Sequence, residues 1–469
     1  MIPLPRSILQ RPGALSLREA TISATPATAH LAAHLAAHLA GELHRVSGQR
    51  LPIVEAGSIE LEVHPDRHDL GDEGHQVLVA DDGAALVAAT PHGLWNAVCT
   101  LVQSVVDDTL PACEIVDGPR FAWRGAMLDV ARHFFTVDEV KRFITLIARY
   151  KLNRLHLHLT DDQGWRIDIP GWPALARHGG STATNGDPGG FYTLDDWAEI
   201  TEHAARHFVT VVPEIDMPGH TNAALASVPE LNVGGESPPL YTGKQVGFSS
   251  LRMHLPATER FVHDVVHTLA AITPGPWLHI GGDEAHSTDH DEYVAFIELL
   301  QREVAATGKH MVAWEEASAA PLHRDTLLQH WLSTDKAVAA TAGVRFVLSP
   351  ARHTYLDMRH APDDRVGRRW AGDIDLDTAY GWDPAEVLPG VTADRIVGVE
   401  APLWTEKVPT FADVEELCFP RLLCLAEVGW TPQHLRDWDG FRHRLGPAVA
   451  DLRSDGVNAY RSELLDDES

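Results

Sequence analysis

Two carboxylates stand side by side at Asp283-Glu284, behind a pair of glycines. Neighbouring carboxylates oppose each other's ionisation, so one can keep its proton near neutral pH and serve as a general acid. More acidic groups recur along the chain beside large aromatics: Asp161-Asp162 with Trp165, Glu214 and Asp216 with His220, and Trp314 with Glu315-Glu316. Trp331, Tyr355 with Asp357, and Glu400 with Trp404 and Glu406 continue the pattern. Asp and Glu after a strand are often helix N-caps, and that accounts for Asp162 or Glu316 taken singly. It does not account for the tryptophans, which cap nothing. Carboxylates and indole faces gathered at one mouth make a polar, aromatic-walled pocket suited to a sugar. Two-carboxylate glycosidases usually take their acid and their nucleophile or base from different strands. An adjacent pair suggests another division of labour, with the acid on the protein and the nucleophile on the substrate.

The elements that must gather these residues can be read from periodicity. Strand candidates are Trp123–Val130, Leu152–Thr160, Phe208–Ile215, Trp277–Ile280, His310–Trp314, Leu327–Trp331, Arg345–Leu348 and Ile396–Val399. Helical stretches lie between them. Thr136-Val-Asp-Glu139 is a capping box, followed by an apolar face of Val140, Phe143, Ile144, Ile147 and Tyr150. Thr193-Leu-Asp-Asp196 opens another helix, and Glu292 to Thr307 forms a third that stops at Gly308. Eight alternating strands and helices predict a (β/α)₈ barrel, and each chemically interesting residue follows a strand, where barrel enzymes converge their loops. An open doubly wound sheet would carry a phosphate-binding glycine fingerprint after its first strand, and none is present. Before the barrel, Gln76–Ala80 and Ala84–Ala88 flank the turn Asp81-Asp82-Gly83, and Leu94 to Val105 is helix-like. The expected division is therefore a small α+β domain over 1–118, a linker at Asp117-Gly118-Pro119, and a catalytic barrel over 119–469.

His279-Ile-Gly-Gly-Asp-Glu-Ala-His286 closely resembles the corresponding motif of glycoside hydrolase family 20, the β-N-acetylhexosaminidases. Arg124 to Phe134, Leu155 to Arg166, Val212 to His220 and Glu400 to Trp404 carry the same resemblance, which spans about Arg120 to Trp430. The first domain is also similar to the non-catalytic domain that often precedes this barrel. The resemblance implies an exo-acting, retaining enzyme that removes terminal β-linked N-acetylglucosamine or N-acetylgalactosamine through an oxazolinium intermediate. It implies Glu284 as acid and then base, Asp283 on the acetamido N–H and Tyr355 on the acetamido carbonyl. Asp161 and His220 would orient the acid. Trp314, Trp331 and Trp404 would wall the pocket, with Arg124, Asp357 and Glu406 on the sugar hydroxyls. Arg124 lies early in its strand, whereas Arg132 lies nearer the strand's end; the resemblance alone selects Arg124.

Composition narrows the partners. The 469 residues carry a formal charge of −28, which argues against a nucleic-acid or anionic-membrane surface. No apolar run approaches the ~20 residues that span a bilayer. The Met1-Ile-Pro-Leu-Pro-Arg start lacks a basic, apolar export signal, so the expected location is the cytoplasm. Four cysteines do not make a disulfide framework, and Cys418 and Cys424 lie in an apolar stretch where free buried thiols are the default. The partner expected is an oligosaccharide or glycoconjugate ending in β-N-acetylhexosamine, with no cofactor and no metal. Two other readings remain at this stage. His156 and His158, with Asp161, His220 and Asp283, offer ligand types for a metal-dependent hydrolase. A sugar-binding protein without activity would need the pocket but not the intact Asp283-Glu284 pair. The row His30, His34 and His38 shares one helical face, lacks a carboxylate or cysteine partner, and is expected to be a solvated face without function.

Overall fold

Alternating apolar residues on both sides of Asp81-Asp82-Gly83 build the expected hairpin, closed by the Ala80 N–H donating to the Gly83 carbonyl at 2.8 Å. In a computed structural model, which describes residues 1–25, 29–339 and 343–465, this hairpin belongs to the first of two compact units. That unit takes in Met1–Ala122 together with Arg149–Lys151 and Ala426–Ala448. Its strands are β1 (Ser7–Ser16), β2 (Ile22–Thr25), β3 (Ile59–Val63), β4 (His75–Val79), β5 (Ala84–Ala88) and β6 (Thr109–Asp117). They form one mixed sheet in the order β1-β6-β4-β5-β3-β2. Helices α1 (Ala29–Ser47) and α2 (Pro91–Val102) complete the α+β unit. The Thr90 hydroxyl caps α2 by accepting from the Gly93 N–H, and Pro91 occupies the position where a missing N–H costs nothing.

The histidine row on α1 is less solvated than its spacing suggested. His38 is half-buried and stacks on Trp95 of α2, ring centroids 4.1 Å apart; the side chain of His30 lies outside the described residues. Deeper in this unit, the Lys151 ammonium meets Asp117 Oδ2 at 3.1 Å. Trp430 donates its indole N–H to the same carboxylate at 2.9 Å.

The second unit holds the barrel. Its strands are β7 (Trp123–Asp129), β8 (Arg154–His158), β11 (Thr210–Glu214), β12 (Trp277–His279), β13 (His310–Trp314), β14 (Leu327–His330), β15 (Arg345–Leu348) and β16 (Ile396–Leu403). Two short strands, β9 (Thr160–Asp161) and β10 (Gly164–Trp165), pair antiparallel just beyond β8. The eight long strands close in the order β11-β12-β13-β14-β15-β16-β7-β8, all parallel, as the alternating pattern requires. Most boundaries shift by one or two residues, but β16 continues four residues further, to Leu403, so Glu400 sits inside the strand and not after it. There it accepts from the Trp123 indole and from Gln329, below the mouth.

Helix α3 (Val137–Arg149) begins in a reciprocal capping box, with the Thr136 N–H donating to Glu139 and the Glu139 N–H donating to the Thr136 hydroxyl. Val140, Phe143, Ile144 and Ile147 of α3 are fully buried, each contributing about 1.5–3 kcal/mol of apolar burial. Helix α4 (Leu194–Arg206) starts in a second capping box at Thr193. Helices α5 (Asn222–Ser227), α6 (Pro256–Ile272) and α7 (His290–Ala306) follow. The chain leaves α7 through Gly308 at φ +80°, the left-handed exit for which glycine is suited. All four cysteines are buried thiols. Among the described residues, no helix is long and apolar enough to cross a membrane.

Candidate active site

The loop after β12 is bent to present its acids. Gly281 and Gly282 have φ of +67° and +98°, and a Cβ at Gly281 would collide with the Asp216 carboxylate, so only glycine lets the two strand ends approach. Glu284 follows at φ +45°, and His220, after β11, sits at +55°. Left-handed backbone at a non-glycine residue carries strain, and here it falls on two facing polar residues.

These residues are linked. His220 Nδ1 lies 3.1 Å from Asp161 Oδ1. Its Nε2 lies 3.7 Å from Asp283 and 3.6 Å from Glu284. Asp161 Oδ2 also receives the Arg132 guanidinium at 2.6 Å and His158 Nε2 at 2.9 Å. Burial disfavours a charge on His220, but Asp161 and then Asp283 outweigh it and raise its pKa well above the usual histidine range. Glu284 moves the way an acid catalyst needs. Burial first, and the Asp283 charge second, raise its pKa, while cationic His220 holds the rise in check. Asp216 is pushed far up by burial and by Asp283. Asp216 Oδ1 accepts from the Gly282 N–H at 2.9 Å.

Beneath the mouth, His156 bridges Glu400 and Glu214 at 2.8 and 3.0 Å, and His158 bridges Glu214 and Asp161. Both ring nitrogens of each histidine are thus committed to carboxylates. The pair that could have ligated a metal is the spine of a buried hydrogen-bond network.

Above this network lies a cavity of about 300 Å³ whose wall includes Asp283, Glu284, Trp331, Tyr355, Trp404 and Glu406. Tyr355 lies against Trp331 with centroids 6.1 Å apart and nearly parallel planes, and Trp404 stands 6.5 Å away. Trp314 is one layer deeper, 5.8 Å from Trp404, its indole donating to Glu214 at 2.8 Å. Burial, and then Asp283 and Asp357, hold the Tyr355 hydroxyl protonated far above the usual phenol range. Several buried acceptors here have no donor: both oxygens of Asp357, Glu406 Oε2 and Asp283 Oδ1. Buried polar atoms are normally satisfied, so orphan acceptors in the cavity wall, at Asp283 and Glu406, with Asp357 behind, mark a place for a donor-rich ligand.

The structure thus brings Asp161, His220, Asp283, Glu284, Trp331, Tyr355, Asp357, Trp404 and Glu406 to one mouth, with Trp314 packed beneath. Arg124 is not among them. It is the second residue of β7, pairs in register with Val399 and is completely buried below the mouth. Five residues of strand separate it from the end of β7, about 16 Å at the usual rise. Arg132, just beyond that end, lines the cavity instead and lies 5.0 Å over the Trp404 ring. The early position of Arg124 in its strand was the signal that it lies away from the cavity. Asp216 was also passed over as a functional residue; its place one step after Ile215 at the end of β11 could have suggested it. Arg368, paired with Glu406 at 2.6 Å, and the exposed Trp370 at the rim come from an irregular segment that carries no periodic signal. Glu315 proves structural, accepting from the backbone of Trp331, Leu332 and Ser333.

Comparison with known proteins agrees with this geometry. Residues 121–433 match the model of the glycosyl hydrolase family 20 catalytic domain, and residues 1–118 match domain 2 of the same family. The β-N-acetylhexosaminidase of Cellulomonas fimi is 44% identical over 417 residues, covering 86% of this chain and 84% of that protein. The solved family 20 β-N-acetylhexosaminidase of Streptomyces coelicolor A3(2) superposes with a TM-score of 0.95 at 42% identity, covering 99% of this chain and 98% of the other. The N-acetyl-β-hexosaminidase of Streptomyces plicatus, solved in complex with Thio-NAglucal, gives 0.94 at 43% identity, covering 99% and 96%. With the closed barrel, the preceding α+β unit and the acid pair at the mouth, these similarities establish that the chain is a glycoside hydrolase belonging to family 20, the β-N-acetylhexosaminidases.

Proposed function

We propose that the protein removes single terminal β-linked N-acetylglucosamine or N-acetylgalactosamine residues from the non-reducing ends of oligosaccharides or glycoconjugates. The mechanism we infer is retaining, with the substrate's own acetamido oxygen as nucleophile. The observation that carries this reading is a matched pair of groups next to the acid. Asp283 offers a buried, unpartnered acceptor, and Tyr355 offers a hydroxyl held protonated, between the indoles of Trp331 and Trp404. A planar acetamido group has the complementary donor and acceptor, N–H for Asp283 and C=O for Tyr355. Held this way, its carbonyl oxygen is positioned to attack the anomeric carbon while Glu284 protonates the departing oxygen. The attack is intramolecular, so no entropy is lost in bringing a second group to the reaction. The oxazolinium that forms is positive, and fixed Asp283 lies where that charge develops. Glu284, now deprotonated, then activates the water that opens the ring.

The exo reading rests on the far end of the cavity. Arg132 and Glu406 line the cavity and, with buried Asp357 beside Glu406, supply donors and orphan acceptors for the hydroxyls of one sugar, in a volume near the lower end for ligand pockets. Asp161 and His220 are positioning residues in this scheme, acting on substrate only through Glu284 and Asp283.

Two aryl β-glycosides differing only at carbon 2, acetamido against hydroxyl, test the mechanism. Strong turnover of the acetamido sugar, with the β-anomer as first product by NMR, is expected; the plain glucoside should be almost inert. Comparable turnover of both would mean that the protein supplies its own nucleophile and would sink the substrate-assisted scheme.

A further inference from the structure

On the outer layer of the barrel, on the helices before and after the strand that leads to the acid pair, two histidines and a carboxylate converge. His263 and His267 are four residues apart on α6, which places them one above the other on the same face. Their ring centroids are 4.0 Å apart. Glu303, from the last turn of α7, reaches across to both. Its Oε2 lies 2.9 Å from His263 Nδ1 and 3.5 Å from His267 Nε2. The three atoms all fall within 4.8 Å of one another.

We propose that His263, His267 and Glu303 form a binding site for a divalent first-row cation of the zinc class. Two imidazoles and one carboxylate suit that class. Zinc ligands at about 2.0–2.1 Å in a tetrahedral arrangement stand roughly 3.3 Å from one another, and the two observed nitrogen–oxygen separations bracket that spacing. His267 Nε2 is shielded from solvent and makes no hydrogen bond. An ion between the three atoms would satisfy it. His263 is exposed, which leaves the fourth position open to water.

The scaffold is rigid where it matters. Phe261, Val262, Val265 and Val266 bury the opposite face of α6, and Phe296, Ile297, Leu300 and Val304 bury the stripe of α7 next to Glu303. The nearby cation Arg302 approaches the other oxygen of Glu303, at 3.5 Å, from a largely exposed position where water screens it. Spacing alone does not make such a site. His203 of α4 and His207 at its C-cap repeat the same interval with rings 4.2 Å apart, but they face the Thr145 hydroxyl and a lysine, Lys141, instead of a carboxylate. A bound ion would clip α6 to α7, the helices on either side of the strand that leads to Asp283-Glu284.

The test is a titration of the metal-free full chain with Zn²⁺, and with Co²⁺ as a spectroscopic probe. It is run in parallel on His263→Ala, His267→Ala, Glu303→Gln and the control His203→Ala. One equivalent should bind with the visible absorption of four-coordinate cobalt. Each of the three ligand variants should weaken it by more than about tenfold, at least the cost of losing an outer-shell partner, and His203→Ala should leave it unchanged. Zinc should also raise the melting temperature of the parent chain, by about 2 °C or more, but not that of the ligand variants. Titrations that are the same for the parent chain and the three ligand variants would overturn the proposal. That holds whether the common result is no binding or binding elsewhere, for instance at His220, Asp283 and Glu284.

Discussion

The surroundings of Glu284 raise its affinity for a proton: a half-buried carboxyl beside the charge of Asp283, with cationic His220 as the counterweight. If Glu284 is the acid, Glu284→Gln should cut kcat on substrates with poor leaving groups by about 10²–10⁴-fold while sugar affinity survives. Unchanged turnover would remove it from that role. Asp283→Asn removes the charge that would stabilise the intermediate and should cost roughly 10²–10³-fold in kcat. A change confined to KM would contradict that role, because uniform binding does not touch the chemical step. The two arginines separate in the same way. Arg132→Met should lower kcat/KM by about 10-fold or more, the loss of a charged hydrogen bond. Arg124→Met, deep below the mouth, should lower the melting temperature and leave KM near its original value. Parallel kinetics and thermal melts on both variants decide between them.

At the scale of elements, β8 carries a consequence for pH. Burial works against charge on its histidines, but Glu214 and Glu400 raise His156 to about 9, and Glu214 with Asp161 raises His158 to about 10. A histidine whose folded pKa lies above its unfolded value, near 6.5, adds stability that is complete below that value. The stability is lost as pH climbs through the folded pKa. The melting temperature should therefore begin to fall as pH rises above about 6.5, and the histidines' contribution should be exhausted once pH has passed about 9–10. His158→Gln should flatten that decline, which a melting series across the alkaline range would reveal. The strands themselves were legible, because alternating apolar runs and capping boxes are local signals. The extent of β16 was not: Glu400 looked like a residue past a strand end. Only its pairing with β7 through Leu403 and its bond to His156 place it inside the barrel.

For the whole molecule, folding also depends on a buried charge in the first unit, where Lys151 and Trp430 meet Asp117. These residues come from three separate stretches of chain, so the pair forms only when the unit is assembled. Lys151→Met should cost about 3–5 kcal/mol by leaving Asp117 buried without its cation. Adding Asp117→Asn should recover much of that loss, since a neutral amide needs no counter-charge. Denaturant midpoints for the single and double variants test this, and additive losses would contradict it. Local order explains what the sequence determined by itself: eight strands, the helices between them, and the acids and indoles that follow the strands. Those depend on residues a few positions apart. Barrel closure decided the rest, because it sets distances between atoms remote in the chain. It put Arg132 and not Arg124 at the cavity, set Asp216 against Asp283, brought Trp370 and Arg368 to the rim, and turned His156 and His158 into a buried network. It also placed Glu303 across from His263 and His267, a meeting of two helices that no spacing in the sequence encodes.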